Sequence, residues 1–150
     1  MLKAGDRAPD FEAALDNGEK VSLSQYRGKN VVLYFYPKDN TPGCTREACD
    51  FRDNIRSLED KNTVVLGVSP DSVKSHQKFK DKFDLPFPLI SDEAKDVAQA
   101  YGVWREKKMY GKTRMGIVRS TFIIDPDGLV SKAYDSVKVT GHVDDVLASL

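Results

Sequence analysis

The chain has 150 residues, of which 40% are hydrophobic and 31% charged, and its 23 basic residues balance its 23 acidic residues. This length and composition indicate one globular domain over residues 1–150 with a sizeable core. The balanced charge gives no reason to expect binding to nucleic acid or to an anionic membrane surface. No apolar run approaches the roughly 20 residues of a membrane span, and no signal peptide is visible. We therefore expect a cytoplasmic protein, although a processed organellar form would have the same features.

Strand-like and helix-like segments alternate along the chain, which favours the α/β class. In chain order, the hydrophobic pattern predicts strands at 21–23 and 31–36, a helix at 42–60, a strand at 63–69, a helix at 72–83, a short strand entry at 86–90, a helix at 93–101, a hairpin of strands at 118–125 and 129–134, and a helix at 141–150. The polar, basic segment 104–114 breaks this periodicity and is predicted to be a loop. It either borders a functional site or is simply solvated.

The only two cysteines, Cys44 and Cys49, lie five residues apart near the start of the predicted helix 42–60. Thr41 suits the N-cap and Pro42 the first helical position, so Cys44 falls in the first turn. Unpaired backbone N–H groups and the helix dipole favour a thiolate there, but they typically supply about 0.3–1 kcal/mol and at best about 2 kcal/mol. Lowering the pKa of a thiol from about 8.5 to about 6 needs roughly 3.4 kcal/mol. A nearby cation is therefore expected, and an arginine suits this role because it stays charged.

The five-residue spacing restricts how the two thiols can react with each other. In an intact helix their side chains point about 140° apart, and the rise of about 7.5 Å exceeds the usual α-carbon limit of about 7 Å for a disulfide. A Cys44–Cys49 disulfide would therefore require the start of the helix to unwind, which also argues against a structural disulfide. A zinc site lacks a second ligand pair, because the only histidines are His76 and His142. Cys49 taken alone could be a small buried hydrophobic residue.

The segment Pro37-x-x-x-Thr41-x-x-Cys44 resembles the active-site signature of the peroxiredoxins. The longer string 42–53 resembles the Q-type branch, also called bacterioferritin comigratory proteins. Further segments extend the resemblance over nearly the whole chain in family order: 5–11, 67–71, 87–92, 101–103 and 119–125. The resemblance implies a thioredoxin-like fold, with a central mixed β-sheet flanked by helices on both faces. It also implies a peroxidase for hydrogen peroxide and organic hydroperoxides that needs no metal or organic cofactor.

The resemblance further implies a catalytic cycle. Cys44 would attack a peroxide and become a sulfenic acid, and Cys49 would condense with it to give an intramolecular disulfide. Thioredoxin or a similar dithiol would then reduce this disulfide. Two other classes stay open: a thiol–disulfide oxidoreductase or redox sensor without peroxide turnover, in which Thr41 would have no obvious use, and a holdase-like assembly. We expect a monomer, with a weak dimer as the alternative.

Four more residues receive roles from the resemblance. Thr41 would hydrogen-bond the peroxide, and Pro37 would shield the sulfenic acid from water. Arg119 would supply the cation and also bond the peroxide, while Glu47 would orient the arginine. From the residues alone, Thr41 could be only an N-cap, Pro37 only a strand end, and Glu47 an exposed helix residue. Nor do the residues alone distinguish Arg119 from Arg46, Arg52, Arg105 or Arg114.

The histidines and aromatic residues receive no catalytic role. We expect His76 to be a packed or partly exposed helix residue, and His142 to be a solvated residue in the first turn of the last helix. Tyr36, Phe51 and Trp104 could wall an apolar pocket for an organic hydroperoxide, although such aromatic residues are more often part of a core.

Overall fold

The computed structural model describes the backbone of residues 1–150 and the side chains of all residues except Met109. Its strands and helices are β1 Glu12–Leu15, β2 Lys20–Ser22, a 3₁₀ helix Leu23–Tyr26, β3 Asn30–Phe35, α1 Pro42–Asp53, α2 Ile55–Asp60, β4 Thr63–Ser69, α3 Val73–Phe83, β5 Leu89–Ser91, α4 Asp96–Ala100, β6 Trp104–Met109, β7 Lys112–Ile117, β8 Ser120–Ile124, β9 Val130–Tyr134 and α5 His142–Ala148. Among the residues described, no helix combines the length and the apolar character needed to cross a membrane.

Seven strands form one mixed sheet in the order β2-β1-β5-β4-β3-β8-β9. The pairs β3–β4 and β4–β5 are parallel, whereas the other neighbours are antiparallel. The central strands are nearly continuous apolar runs because both of their faces are covered, as is usual for parallel strands. The α/β class with a mixed sheet is therefore confirmed.

The side chains of β3 alternate between two hydrophobic clusters, one on each face of the sheet. Leu33 and Phe35 belong to the cluster that includes residues of α4. Val32 and Tyr34 belong to the cluster that includes residues of α1, α2, α3 and α5. Since helices cover both faces, the expected layer arrangement is confirmed, and the helix that carries both cysteines packs on the more heavily covered face.

Strand pairing brings two distant parts of the chain to the same end of the sheet. The last residue of β3, Phe35, pairs with the first residue of β8, Ser120. Because the two strands are antiparallel, the chain leaving β3 toward α1 lies next to the chain entering β8. Arg119, which immediately precedes β8, is thereby placed beside the segment 36–44.

Two predicted elements were wrong in outline. The helix predicted at 42–60 is divided at Asn54, whose backbone leaves the helical region (φ −111°, ψ 13°) and whose side-chain amide donates to the carbonyl of Asp50 at 2.8 Å. Asparagine competes in this way with the helical hydrogen bonds. The segment 104–114 is not a loop but most of the β6–β7 hairpin, closed at Tyr110 and Gly111, both with positive φ. Cross-strand pairing stabilises these polar strands, which their own sequence pattern does not indicate.

Candidate active site

Helix α1 begins as its sequence predicts. Thr41 is the N-cap with an extended backbone, Pro42 is the first helical residue, and Cys44 lies two residues later with only 2% of its surface exposed. The Thr41 hydroxyl does not cap the helix; it donates a hydrogen bond to the carbonyl of Lys38 at 2.9 Å. Cys44 therefore lies in the first turn of a helix, in a nearly closed site whose backbone N–H groups favour negative charge.

Arg119, which immediately precedes β8, connects two residues of α1. Its Nη2 donates to Cys44 Sγ at 3.3 Å, and its Nη1 donates to Glu47 Oε1 at 2.7 Å. Cys44 and Glu47 are three residues apart and so lie on the same face of the helix. The cation that the sequence required beside Cys44 is thus Arg119, rather than any of the four other arginines considered.

Glu47 is fully buried, so the alternative of an exposed helix residue is wrong. Burial raises the pKa of Glu47 to about 7, although the charge and hydrogen bond of Arg119 act in the opposite direction. Its second oxygen, Oε2, has no hydrogen-bond partner among the side chains described. Burial works to lower the pKa of Arg119, but Glu47 and Cys44 outweigh it and the pKa is raised. The guanidinium is therefore a fixed positive charge at the sulfur.

Cys49 lies on the same unbroken helix and is half-buried. Both cysteines are free, so the structure corresponds to the reduced state of the expected switch. Burial raises the pKa of the Cys49 thiol, while Arg52 partly offsets this effect. Near neutral pH, Cys49 is consequently a protonated thiol.

Pro37 is half-buried. It follows Tyr36, which comes directly after β3 and is fully buried. It thus lies in the short loop 37–41 that leads into α1. Tyr36, Phe51 and Trp104 do not wall one apolar pocket, and the alternative that such residues belong to the core agrees with the structure. Tyr36 and Phe51 belong to the core on the side of Cys44, whereas Trp104 packs against the cluster on the other face of the sheet.

Gly43 and Lys107 also border the site, and the sequence assigned neither a role. A Cβ atom at Gly43 would lie 3.3 Å from Arg119 Nη2, so the glycine allows the guanidinium to approach the helix. A glycine inside a helix costs about 1 kcal/mol relative to alanine. This unfavourable residue was the feature of the sequence that could have pointed to a role for Gly43. Lys107 donates to the carbonyl of Ile117 at 2.7 Å. Burial lowers the pKa of Lys107, the charge of Arg119 lowers it further and Cys44 opposes both, so Lys107 lies within range of the charges of the site.

His142 was predicted to be solvated, and this was wrong because only 4% of its surface is exposed. Its Nε2 lies 2.8 Å from Thr121 Oγ1, and its ring packs edge-on against Phe51 and Tyr134. The N-cap of α5 is Gly141 with a φ of 76°, a conformation that suits glycine and brings the chain sharply onto the sheet.

The buried position of His142 determines its charge. Burial lowers its pKa to about 4, Asp145 acts against this shift and Arg119 adds to it. His142 is consequently neutral at pH 7 and adds no further positive charge to the site.

Comparisons with known proteins agree with this geometry. Residues 4–133 match the AhpC/TSA family. A peroxiredoxin Bcp of Bacillus subtilis is 52% identical over 149 residues, which cover 99% of this chain and 95% of the relative. Peroxiredoxin Q of Xanthomonas campestris, in a single-residue variant, is 43% identical and matches 99% of this chain and 97% of its own with a TM-score of 0.92.

A structure of the bacterioferritin comigratory protein of Xanthomonas campestris, described for its alkyl peroxide reduction activity, is also 43% identical. It covers 97% of this chain and 96% of its own, again with a TM-score of 0.92. These similarities extend over nearly the whole chain and include the thioredoxin-like fold. The chain therefore belongs to the AhpC/TSA family and is a thiol-dependent peroxidase of the Q-type peroxiredoxin branch.

Proposed function

We propose that the chain reduces hydrogen peroxide and organic hydroperoxides through Cys44, with Cys49 as the resolving thiol and thioredoxin or a similar dithiol as the reductant. The observation that carries this proposal is the hydrogen bond from Arg119 Nη2 to Cys44 Sγ at 3.3 Å. A fixed cation at this place stabilises a thiolate. It also stabilises the negative charge that develops on the leaving oxygen in the transition state.

In the first step, the Cys44 thiolate attacks one oxygen of the peroxide. A sulfur–oxygen bond forms as the oxygen–oxygen bond breaks, and the leaving oxygen takes up a proton and departs as water or an alcohol. The sulfur is thereby oxidised to a sulfenic acid and the peroxide is reduced by two electrons. The reported activity of the Xanthomonas campestris relative supports including alkyl hydroperoxides as substrates.

Three further residues support this step, each in a different way: Thr41, Pro37 and Glu47. The Thr41 hydroxyl would turn from the carbonyl of Lys38 to the peroxide, a rotation about a single side-chain bond. Pro37 would limit the access of water from the loop that precedes the helix. Glu47 holds the guanidinium through its Nη1 and leaves Nη2 directed at the sulfur. All three roles act on the position and solvation of the reacting atoms.

In the second step, the Cys49 sulfur attacks the Cys44 sulfenic acid, a disulfide forms and water leaves. Because α1 is continuous over both residues, its first turns must unwind before the two sulfurs can meet. An external dithiol then attacks the disulfide, which returns both cysteines to thiols and oxidises the dithiol.

The decisive experiment is to mix the reduced protein with one equivalent of hydrogen peroxide, quench it, block free thiols and measure the intact mass. The expected result is the loss of two hydrogens with no thiol left to block. Addition of one oxygen, or one retained thiol, would mean that an external thiol resolves the sulfenic acid. No change of mass within minutes would contradict the peroxidase and favour a thiol–disulfide oxidoreductase.

Two variants serve as matched controls. Cys44→Ser should show no reaction, and retained peroxide consumption would refute the assignment of Cys44. Cys49→Ser should gain one oxygen and form no intramolecular disulfide. With excess peroxide it should overoxidise faster, because no Cys49 thiol condenses with its sulfenic acid.

A further inference from the structure

A buried network of polar side chains lies directly before α1, and the mechanism above does not use it. At its centre is Asp39, in the loop 37–41 that leads to Thr41 and Cys44. The Asp39 carboxylate accepts hydrogen bonds from the Tyr36 hydroxyl at 2.6 Å, Ser75 Oγ at 2.8 Å and His76 Nδ1 at 2.7 Å. The side chains of His76 and Asp39 are only 0% and 3% exposed. Each contact gives a buried polar group a partner, as is usual in protein interiors.

The hydrogen bonds of His76 determine its protonation state. Its Nδ1 faces the carboxylate of Asp39, and its Nε2 faces the backbone carbonyl of Ile90 at 2.9 Å. With Asp39 ionised both partners are acceptors, and this arrangement favours a ring that carries a proton on each nitrogen. An imidazolium of His76 paired with the Asp39 carboxylate fits both contacts.

The surroundings of His76 agree with a charged ring. Burial works to lower its pKa, but the hydrogen bond and charge of Asp39, the Ile90 carbonyl and the charge of Asp71 outweigh burial and raise it. The Tyr36 ring also packs near His76, and burial raises the pKa of this phenol well above its ordinary value, so it stays a neutral donor.

Asp39 is held through its main chain as well as its side chain. Its backbone N–H donates to Asp71 Oδ2 at 2.8 Å, and the same oxygen accepts the Ser69 hydroxyl at 2.6 Å. The residue is thus fixed both to the end of β4 and to α3. Thr41 follows two residues later, so this fixed point determines where the first turn of α1 begins.

A metal ion is a poor alternative explanation for the network. Ligand atoms of Asp39, Asp71 and His76 lie within 4.8 Å of one another, a spacing that a cation could use. Both ring nitrogens of His76, however, are already engaged, Nδ1 with Asp39 Oδ2 at 2.7 Å and Nε2 with the carbonyl of Ile90 at 2.9 Å, so a cation would have to replace one of these hydrogen bonds.

We propose that Asp39 and His76 form a positioning pair for the peroxidase reaction, which holds the loop 37–41 so that Thr41 and Cys44 meet the peroxide together with Arg119. The pair remains fixed while α1 unwinds, so the segment that changes conformation begins after Asp39. It ends at the helix break at Asn54, and it therefore contains both cysteines. This inference rests on the proposed function.

The test compares two reactions of Cys44 in the wild type, Asp39→Asn and His76→Gln. Reaction with hydrogen peroxide needs the thiolate and the positioned loop, whereas alkylation by iodoacetamide needs the thiolate alone. We expect both variants to lower the peroxide rate constant by tenfold or more, the order of loss caused by a displaced catalytic group. The alkylation rate constant should change by less than about twofold, since it does not depend on Thr41. Equal loss in both reactions would reduce the pair to a structural support, and no loss in either would overturn the proposal.

Lys82→Gln is the matched control, because Lys82 Nζ contacts Asn40 of the same loop at 3.1 Å but from the exposed surface. Both rate constants should stay unchanged in this variant.

A second measurement needs no variant and therefore does not depend on whether one folds. The ring-nitrogen chemical shifts of His76 in the wild type should report a doubly protonated ring near neutral pH. The ratio of the peroxide rate to the alkylation rate should fall as rising pH removes a proton from that ring. A neutral tautomer near neutral pH would overturn the proposal, whereas a wild type that alkylates but ignores peroxide would instead overturn the proposed function.

Discussion

Cys44 and Glu47 lie one turn apart on α1, and Arg119 joins them from the start of β8. The guanidinium satisfies one oxygen of the buried Glu47 carboxylate and leaves the other without a partner among the described side chains. A buried carboxylate that is only partly compensated ionises with difficulty, which is why burial raises the pKa of Glu47 to about 7. The charge that orients Arg119 therefore changes within the physiological pH range.

This property leads to a prediction about pH. As the pH falls through about 7, Glu47 takes up a proton and Arg119 loses the charge that holds it, since the folded-state pKa of Glu47 is about 7. We expect the peroxide rate constant of the wild type, relative to alkylation by iodoacetamide, to decrease below that pH. In Glu47→Gln the ratio of the peroxide rate constant to the alkylation rate constant should be about tenfold lower than in the wild type at mildly alkaline pH. This ratio should no longer depend on pH near 7. Stopped-flow kinetics over this range would check it, and a Gln variant that retains the wild-type profile would contradict it.

At the scale of elements, α1 is well placed to unwind. It has 12 residues, includes Gly43 near its start and ends at Asp53, and Asn54 separates it from α2. A helix of this length is marginal in isolation, and glycine weakens it further. Its stability therefore depends on packing of Cys44, Ala48 and Phe51 against the sheet.

The predicted switch can be observed by amide hydrogen exchange in the reduced and oxidised protein. A Cys44–Cys49 disulfide should lower protection within Pro42–Asp53 by at least about tenfold, because the sulfurs cannot meet across an intact helix. Protection in β3 and β4 should stay unchanged. Peroxide-treated Cys49→Ser is the control, and its helix should remain protected. An oxidised protein with a disulfide and full protection of α1 would refute the switch.

At the scale of the whole molecule, buried ionisable groups bring opposing contributions to stability. The folded-state pKa is raised for Glu47 and His76 and lowered for His142. Between the ordinary Glu value and about 7, folded Glu47 binds more protons than unfolded Glu47, so acidification favours the folded state there. His76 contributes stability that is complete below its ordinary pKa and is lost as the pH rises through its raised value. His142 acts in the opposite direction on acidification.

His142 therefore gives a prediction about global stability. Its unfolded-state pKa is near 6.5 and its folded-state pKa about 4, so within this window only the unfolded chain takes up the proton. Acidification through the window should cost about 3 kcal/mol of unfolding free energy. In His142→Gln, which keeps a polar partner for Thr121, this cost should disappear, so that the difference from the wild type shrinks as the pH falls. Urea unfolding of both proteins near pH 7 and near pH 4.5 would measure this difference in unfolding free energy. The same difference at both pH values would contradict the lowered pKa of His142.

Much of the architecture follows from local patterns. The strands β3 and β4 are apolar runs, and the start of α1 follows from Thr41 and Pro42. The structure confirms these elements within one or two residues. The β6–β7 hairpin was missed because its strands are charged and stabilised by pairing with each other. His142 was misplaced because helical position alone does not indicate which side of the first turn faces the sheet.

The sequence by itself determined the α/β class and the position of Cys44 in the first turn of a helix, because each depends on residues close together in the chain. It also determined the family resemblance, because motifs can be compared one by one in chain order. The resemblance already implied Arg119 and Glu47 as partners of Cys44. Only the tertiary structure showed that Arg119 contacts the sulfur, that Glu47 is buried and that Asp39 pairs with His76. These contacts join residues 75, 72 and 37 positions apart. They form because strand pairing brings the end of β3 beside both the start of β8 and the end of β4, an arrangement that no local pattern specifies.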